Sequence, residues 1–257
     1  MIKGLYNLII NIFKYKNFKE IYNKIKNKFE KDTKDISINW ANSKIESIDE
    51  FCKNKNYKIW QKTKSDVQSI INKISLKNNH NYNLIETSGS LTLIYFLILL
   101  KKPNNIIETG VAYGFSTEII LNAINKNKCG HLFSSDLPYY KIKNSTRNIG
   151  IAVSKKLKKN WTLNIKGDEI AISKFLEKIN KIDFFHYDSD KSYSGRKKIT
   201  QLILKKLNNK STFVMDDIQD NTFFRDFVIK YKFEYHIFKY QNKLVGLIEN
   251  IGKQLNN

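Results

Sequence analysis

The chain has 257 residues, of which 41% are hydrophobic and 13% aromatic, so it can bury a sizeable core and is not disordered throughout. Its two cysteines, Cys52 and Cys129, are too few for a disulfide framework or a cysteine-rich metal cluster, and we expect both to be reduced in a cytoplasmic protein. The lysines behind the formal net charge of +21 are spread over almost every predicted helix, which favours a solvated surface over a nucleic-acid groove.

Residues 1–30 are predicted to form an amphipathic helix. The apolar residues within 5–13 repeat at helical spacing, but polar residues interrupt the stretch and it is too short to cross a bilayer. The lysines of this segment would suit peripheral contact with an anionic membrane at its inner face. Packing against the core of the protein, or against a second subunit in a homodimer, is the interpretation we favour.

Residues 1–80 as a whole are interpreted as a helical extension that precedes a catalytic domain of residues 81–257. The sequence Ser-Lys-Ile-Glu at 43–46 offers a capping box, and apolar residues within 59–74 repeat at helical spacing. Residues 32–37 are the best candidate for a linker.

From residue 91 onward the pattern changes to alternating helices and strands. A buried helix over 91–100 ends before Pro103. Strands are then predicted at 106–108, 131–135, 161–165, 182–187 and 211–215, with helices near 116–126, 143–158, 168–180, 193–208 and 220–231. Alternation of this kind predicts an α/β fold with a parallel sheet and right-handed crossovers. Residues 233–239 and 244–249 have no helix between them, which predicts a closing hairpin.

The most informative stretch is 106–117, where an apolar strand is followed by an acid, two glycines and two hydroxyls. Gly110 would permit a tight turn, and Gly114 would let the backbone approach a ligand at a helix N-terminus. The spacing is not that of the three-glycine dinucleotide pattern. The carboxylate of Glu108 would repel a pyrophosphate but attract an amino group and a sulfonium, which favours S-adenosylmethionine as the cofactor.

An acid follows every predicted parallel strand, at the sheet edge where ligands of doubly wound folds bind. Asp136 is placed to accept hydrogen bonds from both ribose hydroxyls of the cofactor, and Asp168 to meet the adenine edge. Helix capping is an alternative role for Asp168 and a partial one for Asp136. The last two parallel strands end in acidic pairs, with Asp188 and Asp190 after one, and Asp216 and Asp217 after the other. Three carboxylates that converge there would repel one another unless Mg²⁺, Mn²⁺ or Ca²⁺ neutralised them.

The segment ETGVAYGFST at 108–117 resembles the first motif of class I S-adenosylmethionine-dependent methyltransferases, particularly the catechol and caffeoyl-CoA O-methyltransferase-like branch. HYDSDKSY at 186–193 resembles the DADK-type segment of that branch, and VMDD at 214–217 resembles the acidic pair on its next strand. The resemblance covers residues 85–250. It implies a Rossmann-like sheet, mostly parallel with an antiparallel last strand, and it leaves the N-terminal third of the chain, which is the predicted extension, unexplained.

The resemblance also implies roles for the residues at the last two parallel strands. It places Asp188, Asp216 and Asp217 on the metal ligands and Lys191 on the catalytic lysine. Many relatives carry histidine where Lys191 stands, and in that case Asp188 or Asp190 would accept the proton. The candidate cofactor-binding residues are Ser88, Glu108, Gly110, Tyr113, Gly114, Ser116, Asp136 and Asp168. His186 is expected to pack in the sheet without a catalytic role.

The sequence therefore predicts a metal-assisted O-methyltransferase that acts on a small hydroxylated acceptor, such as a sugar or glycan, a phenol or a natural product. Two alternatives remain open. One is an RNA-modifying methyltransferase that uses the basic surface, and the other is a membrane-associated binding module without catalysis.

Overall fold

The computed structural model describes residues 30–77, 90–138 and 145–255. Apart from Glu30, the helix predicted for residues 1–30 lies outside these ranges, as does the candidate cofactor residue Ser88. Within the described ranges, every helix is too short or too polar to cross a membrane.

One sheet of eight strands forms the centre of the described protein. The strands are β1 (Ile45–Glu46), β2 (Asn105–Thr109), β3 (His131–Ser135), β4 (Trp161–Asn164), β5 (Ile182–Tyr187), β6 (Leu207–Met215), β7 (His236–Tyr240) and β8 (Lys243–Ile248). They lie in the order β1-β7-β8-β6-β5-β2-β3-β4. Strand β8 is antiparallel to both of its neighbours, and the remaining described pairs are parallel. The predicted parallel sheet with an antiparallel last strand is confirmed.

Helices cover both faces of this sheet. They are α1 (Lys34–Asn42), α2 (Ile48–Lys77), α3 (Leu91–Lys101), α4 (Phe115–Asn127), α5 (Asp168–Lys178), α6 (Tyr193–Leu204), α7 (Phe223–Tyr231) and α8 (Ile251–Leu255). Because side chains alternate along a strand, Ile106 and Phe184 pack with α2, α3 and α4, whereas Ile107 and Phe185 pack with α5, α6 and α7. Burial on both faces explains why the central strands are almost continuously apolar.

Residues 43–46 do not cap a helix, which corrects the predicted capping box. Ile45 and Glu46 form β1 instead and pair with β7, because the edge of the sheet satisfies their backbone groups. The helix begins at Ile48, and its cap is Ser47, whose Oγ accepts a hydrogen bond from Glu50 N–H at 3.3 Å.

The candidate linker at 32–37 is the start of α1, which begins at Lys34. Ser37 on this helix is buried, and its hydroxyl donates to Ile218 O at 2.9 Å. The predicted domain boundary between residues 80 and 81 lies outside the described residues and stays a prediction.

The helix predicted for 143–158 is wrong from residue 145 onward. Short 3-10 turns at Ser145–Arg147 and Lys155–Asn160 replace it. Between them Gly150 has a φ of +67°, and its N–H donates to Ala112 O at 2.9 Å. Pairing with the loop before α4 therefore replaces the hydrogen bonds of a local helix.

The helix predicted for 193–208 ends at Leu204, and β6 begins at Leu207 rather than at residue 211. Asn208 accounts for the change, because its side-chain amide donates to Ile182 O at 3.2 Å and to Asp183 Oδ1 at 2.7 Å. These bonds attach the start of β6 to β5.

Candidate active site

The candidate site lies at the carboxyl ends of the central strands. The strand registers place four residues in one row across β3, β2, β5 and β6, namely Ser134, Glu108, His186 and Val214. Side chains alternate along a strand, so a second row follows on the same face, made of Asp136, Gly110, Asp188 and Asp216. Backbone hydrogen bonds continue between the strands at this second row. The fold therefore brings the acids predicted at the strand ends to one edge of the sheet.

Protein packing accounts for both glycines of the loop between β2 and α4. Gly110 has a φ of +82°, and a Cβ there would overlap the carbonyl oxygen of Asp188. Gly114 has a φ of +92°, and a Cβ there would lie 2.9 Å from both Gly150 Cα and Val153 Cγ2. A side chain at either position would thus collide with another segment of the chain. Contact between Gly114 and a cofactor stays a prediction.

Glu108 is fully buried, at 0% exposure, and its carboxylate is held by three hydroxyls. Ser116 donates to Oε1 at 2.7 Å, while Thr117 and Ser134 donate to Oε2 at 2.7 and 2.8 Å. These bonds tie the start of α4 to β2 and β3. Glu108 therefore shapes the cofactor loop from inside the protein, and the candidate residue Ser116 is one of its hydroxyl donors.

Asp136 holds the same loop through its backbone. Its Oδ2 accepts hydrogen bonds from Val111 N–H at 3.2 Å and Ala112 N–H at 2.7 Å, and its Oδ1 accepts one from Leu137 N–H at 2.6 Å. Burial raises the pKa of Asp136, against the effect of these bonds. A carboxylate oxygen can accept more than one hydrogen bond, so Oδ1 retains capacity for a ribose hydroxyl.

Three further candidates lie around this edge of the sheet. Asp168 begins α5 and accepts a hydrogen bond from the hydroxyl of Ser135 at 2.6 Å. Tyr113 is half-buried, and its carbonyl accepts a hydrogen bond from Ala152 N–H at 2.9 Å. Asp190 bonds within its own turn, where its Oδ1 accepts Ser192 N–H at 3.0 Å.

Lys191 pairs with two of the predicted metal ligands. Its ammonium forms ion pairs with Asp188 and, at 3.0 Å, with Asp217 Oδ2. Burial alone would lower the pKa of Lys191, but the charges of Asp188, Asp217 and Asp216 outweigh burial and raise it. Burial raises the pKa of Asp188 to about 6. These charges keep Lys191 protonated, whereas a proton acceptor must be neutral.

Asp217 faces cations rather than the other two acids. Besides Lys191, the ammonium of Lys243 lies 3.6 Å from its Oδ1, and Gln219 Nε2 donates to the same oxygen at 3.3 Å. Burial would raise the pKa of Asp217, but Lys191 lowers it. Asp217 also has a φ of +54°, so its backbone bends away from the strand direction of Asp216.

His186, to which the sequence assigned no role, lies between two buried carboxylates. Its Nε2 is 3.4 Å from Asp216 Oδ2 and its Nδ1 is 3.9 Å from Glu108 Oε1. Within the described residues, neither ring nitrogen has a hydrogen-bond partner, nor has Asp216 Oδ2. Burial would lower the pKa of His186, but Asp216 and Glu108 raise it to about 10. The pairing of β5 with β2 places His186 beside Glu108. A correct alignment of these two predicted strands would have indicated this contact.

Three side chains have the spacing of a metal site. One ligand atom each from His186, Asp188 and Asp216 lies within 4.8 Å of the other two. Ser90 Oγ donates to Asp216 Oδ1 at 2.8 Å, which leaves Oδ2 on the side of His186. The buried oxygen and nitrogen without hydrogen-bond partners fit a cation at this position. This group shares Asp188 and Asp216 with the predicted ligand set but not Asp217.

Arg196 is a second residue that the sequence analysis missed. It is fully buried at the start of α6, and its NH2 donates to the carbonyl oxygen of Asp217 at 2.8 Å. Asn221, which lies 3.5 Å from Arg196 NH1, donates to Lys191 O at 2.6 Å. Together they join the turn after β6 to the loop after β5. The available signal was an arginine in a chain whose basic residues are mostly lysine.

Residues 107–218 match a family model described as a methyltransferase domain. The match begins in β2, includes the glycine loop, and ends just after the acids that follow β6. No curated protein has a significantly similar sequence.

Solved structures with similar folds include two O-methyltransferases. One is an O-methyltransferase from Bacillus cereus in complex with SAH, with 13% identity, a TM-score of 0.52, and coverage of 72% of this chain and 90% of that chain. The other is a Staphylococcus aureus protein named as a caffeoyl-CoA O-methyltransferase, with 15% identity, a TM-score of 0.51, and coverage of 76% of this chain and 99% of that chain. At these identities the likeness shows the fold.

The family match covers the segments that build the site, and the sheet order and antiparallel last strand agree with it. The match identifies residues 107–218 as a methyltransferase domain and the protein as an enzyme, and S-adenosylmethionine is the cofactor that the sequence predicts for it. The chain therefore contains a methyltransferase domain and has a fold similar to that of solved O-methyltransferases.

Proposed function

We propose that the chain methylates a hydroxyl oxygen of a small acceptor and that a divalent cation assists the transfer. The observation that carries the proposal is the convergence of Asp188, Asp216 and Lys191 at the strand ends beside the glycine loop. The carbonyl of Asp188 packs against Gly110, so the acids and the cofactor loop form one continuous surface.

When bound, S-adenosylmethionine supplies the methyl group, and a divalent cation lowers the pKa of a hydroxyl that it binds. Asp188 and Asp216 would hold the cation, because two buried carboxylates so close together need positive charge to stabilise them. The residues of the chain contribute alignment of the acceptor and exclusion of water.

Lys191 is the proposed proton acceptor. Its side chain is 30% exposed, so it can reach an acceptor from the surface of the site. A cation at Asp188 and Asp216 would offset two of the three carboxylate charges that raise the pKa of Lys191 and so favour the neutral amine, while the charge of Asp217 still opposes it. Asp188 and Asp190 are the alternative proton acceptors; burial raises the pKa of Asp188 to about 6, which suits a general base, but a cation held by Asp188 would lower it.

The proposed acceptor is a sugar or glycan, a phenol or a natural product, rather than nucleic acid. The observation that favours a small acceptor is that Asp216 and Asp217 are buried, at 2% and 8% exposure. A cytoplasmic location stays a prediction. Membrane contact through residues 1–30 and a homodimer stay predictions.

The test uses the full chain with methyl-labelled S-adenosylmethionine and a panel of catechols, phenols, hexoses and oligosaccharides, with bulk RNA as a separate arm. Each reaction is run with added Mg²⁺ or Mn²⁺ and with a chelator. We expect label in a methyl ether of a small acceptor, lost in chelator and restored by metal. Label in RNA alone would contradict the proposed acceptor, and full transfer in chelator would remove the cation from the mechanism.

A further inference from the structure

We infer that His186, Asp188 and Asp216 form a nitrogen-containing site for a divalent transition-metal ion, with His186 in the place that the family resemblance gives to Asp217. The inference rests on the metal-assisted part of the proposed function and names the ligands and the class of metal. The starting observation is that the imidazole of His186 lies among the strand-end acids.

The first line of support is the distance between His186 and Asp216. The separation of 3.4 Å between Nε2 and Oδ2 is long for a hydrogen bond, and neither atom makes one with a described residue. Two ligands at about 2.1 Å from a shared ion lie about 3.0–3.4 Å apart at angles near 90–110°. The observed separation, which is that of an ion pair between the two side chains, also matches that of two ligands around one cation.

The second line of support is burial. His186 is 0% exposed and Asp216 is 2% exposed, so the imidazole nitrogen and the carboxylate oxygen are both removed from water. The ring and the carboxylate form a buried ion pair without a hydrogen bond, and a divalent cation between them would supply the positive charge that Asp216 otherwise takes from the protonated ring.

The third line of support is the set of residues around the ligands. Ser90 donates to Asp216 Oδ1 at 2.8 Å and fixes the orientation of that carboxylate. On the other side of the ring, His186 Nδ1 faces Glu108 Oε1 at 3.9 Å. A carboxylate behind a ligating histidine orients the ring toward a metal when it accepts the ring N–H, and Glu108 lies on that side of the ring, although 3.9 Å is beyond hydrogen-bond distance. Here that carboxylate also anchors the cofactor loop through Ser116.

Asp217 is a poorer ligand because its oxygens already face other groups. Lys191 lies 3.0 Å from Oδ2, while Lys243 and Gln219 lie 3.6 and 3.3 Å from Oδ1. Coordination by Asp217 would break these contacts, whereas coordination by His186 would replace only its longer ion-pair contacts with Asp216 and Glu108, at 3.4 and 3.9 Å, and no hydrogen bond within the described residues.

The ligand types set the metal preference. An imidazole nitrogen suits transition metals, whereas Mg²⁺ and Ca²⁺ prefer oxygen ligands alone. One imidazole and two carboxylates therefore favour Mn²⁺, Fe²⁺ or Zn²⁺ over Mg²⁺. Mn²⁺ is the practical probe, since its binding and its ligand nuclei can both be followed by electron paramagnetic resonance.

The experiment titrates the chelator-treated full chain with Mn²⁺ alone and records spin-echo modulation from ¹⁴N on the bound ion. We expect a bound Mn²⁺ with nitrogen modulation in the wild type, and at least a roughly tenfold loss of affinity in His186→Gln. Asp217→Gly is the matched variant, because glycine accepts the φ of +54° and removes the carboxylate. It should bind Mn²⁺ within about twofold of the wild type and keep the nitrogen signal.

Bound Mn²⁺ without nitrogen modulation in the wild type would overturn the inference, and this reading needs no variant to fold. Loss of Mn²⁺ in Asp217→Gly with retention in His186→Gln would overturn it as well, as would absence of Mn²⁺ binding. Calorimetry with S-adenosylmethionine on the same samples separates the two proposals, since cofactor binding without Mn²⁺ binding removes the metal site and leaves the methyltransferase function.

Discussion

Glu108 and Trp161 are joined through a single hydroxyl. Ser134 Oγ donates to Glu108 Oε2 at 2.8 Å and accepts a hydrogen bond from Trp161 Nε1–H at 2.9 Å. The indole of Trp161 also fills the space beside Gly150, where a Cβ would overlap the ring. One connected set of contacts therefore extends from the acid behind the cofactor loop to the edge strand β4.

Replacement of Ser134 by alanine is expected to weaken this set of contacts. Ser134→Ala removes one donor from the buried Glu108 carboxylate and the only hydrogen-bond acceptor recorded for Trp161 Nε1 among the described residues. A buried polar group left unpaired costs about 1–3 kcal/mol, so the free energy of unfolding should fall by about that amount. Urea denaturation followed by tryptophan fluorescence measures the change.

Ser173→Ala is the control for Ser134→Ala. Ser173 donates to Glu169 O at 2.8 Å, but it is exposed on α5, so water can replace the lost bond. Its free energy of unfolding should stay within about 0.5 kcal/mol of the wild type. Equal losses in the two variants would show that burial at Ser134 does not matter.

Asp136→Ala is expected to weaken cofactor binding. The change removes the acceptor of the Val111 and Ala112 amides and a candidate partner of the ribose hydroxyls. Hydrogen bonds to a charged group contribute about 1.5–3 kcal/mol, so the Kd for S-adenosylmethionine should rise by about 10- to 100-fold. Isothermal titration calorimetry measures this rise.

Asp183 provides a matched control for Asp136. Its Oδ2 also accepts two backbone N–H groups, from Asn104 at 3.0 Å and Asn105 at 2.9 Å, but at the opposite end of β2. Asp183→Ala should lower the melting temperature and leave the Kd for S-adenosylmethionine unchanged. A similar loss of cofactor affinity in both variants would mean that Asp136 acts only through global stability.

Much of the fold was predictable because strand periodicity, strand-ending acids and the glycine loop are local patterns. The strands at 131–135 and 182–187 were predicted with their observed bounds. The 145–158 region was not, because its conformation depends on hydrogen bonds between Gly150 and Ala112, which are distant in sequence. Strand β1 was missed for the same reason, since its two residues are ordered by β7.

The sequence predicted which acids follow the strands, but not how their side chains are arranged in the site. Asp188 and Asp216 meet because β5 and β6 are neighbours, which the sequence could suggest. Asp217 is separated from them by its φ of +54° and by its contact with Lys243. Neither feature produces a recognisable pattern in the sequence. The contacts of Arg196 were also not predictable, because they are mainly with backbone carbonyl oxygens of the turn after β6.

The two cysteines are expected to differ in reactivity with thiol reagents. Burial raises the pKa of the Cys52 thiol to about 12, and the residue is 0% exposed, so the thiolate is scarce and inaccessible at pH 8. Cys129 is partly exposed. Native protein treated with a maleimide at pH 8 should gain one label, at Cys129, by peptide mass spectrometry. Urea should expose Cys52 to the reagent, and labelling of Cys52 at the same rate without urea would contradict its burial.

Lys191 can act in methyl transfer as a proton acceptor or as a fixed positive charge, and two substitutions separate these roles. Lys191→Met removes both properties and should lower kcat by about 10²- to 10⁴-fold, as expected for loss of a general base. Lys191→Arg keeps a positive charge near Asp188 and Asp217, but a guanidinium does not lose its proton in the working pH range.

If Lys191 accepts the proton, both variants lose turnover to a similar extent, while their Kd for S-adenosylmethionine stays close to that of the wild type. Single-turnover assays with an accepted substrate measure the chemical step directly. Retention of most of the rate in Lys191→Arg would assign Lys191 a charge role and transfer the proton-accepting role to Asp188, since burial holds its pKa at about 6. In that case Asp188→Asn should abolish turnover in both the wild-type and the Lys191→Arg backgrounds, because an amide cannot take up the proton.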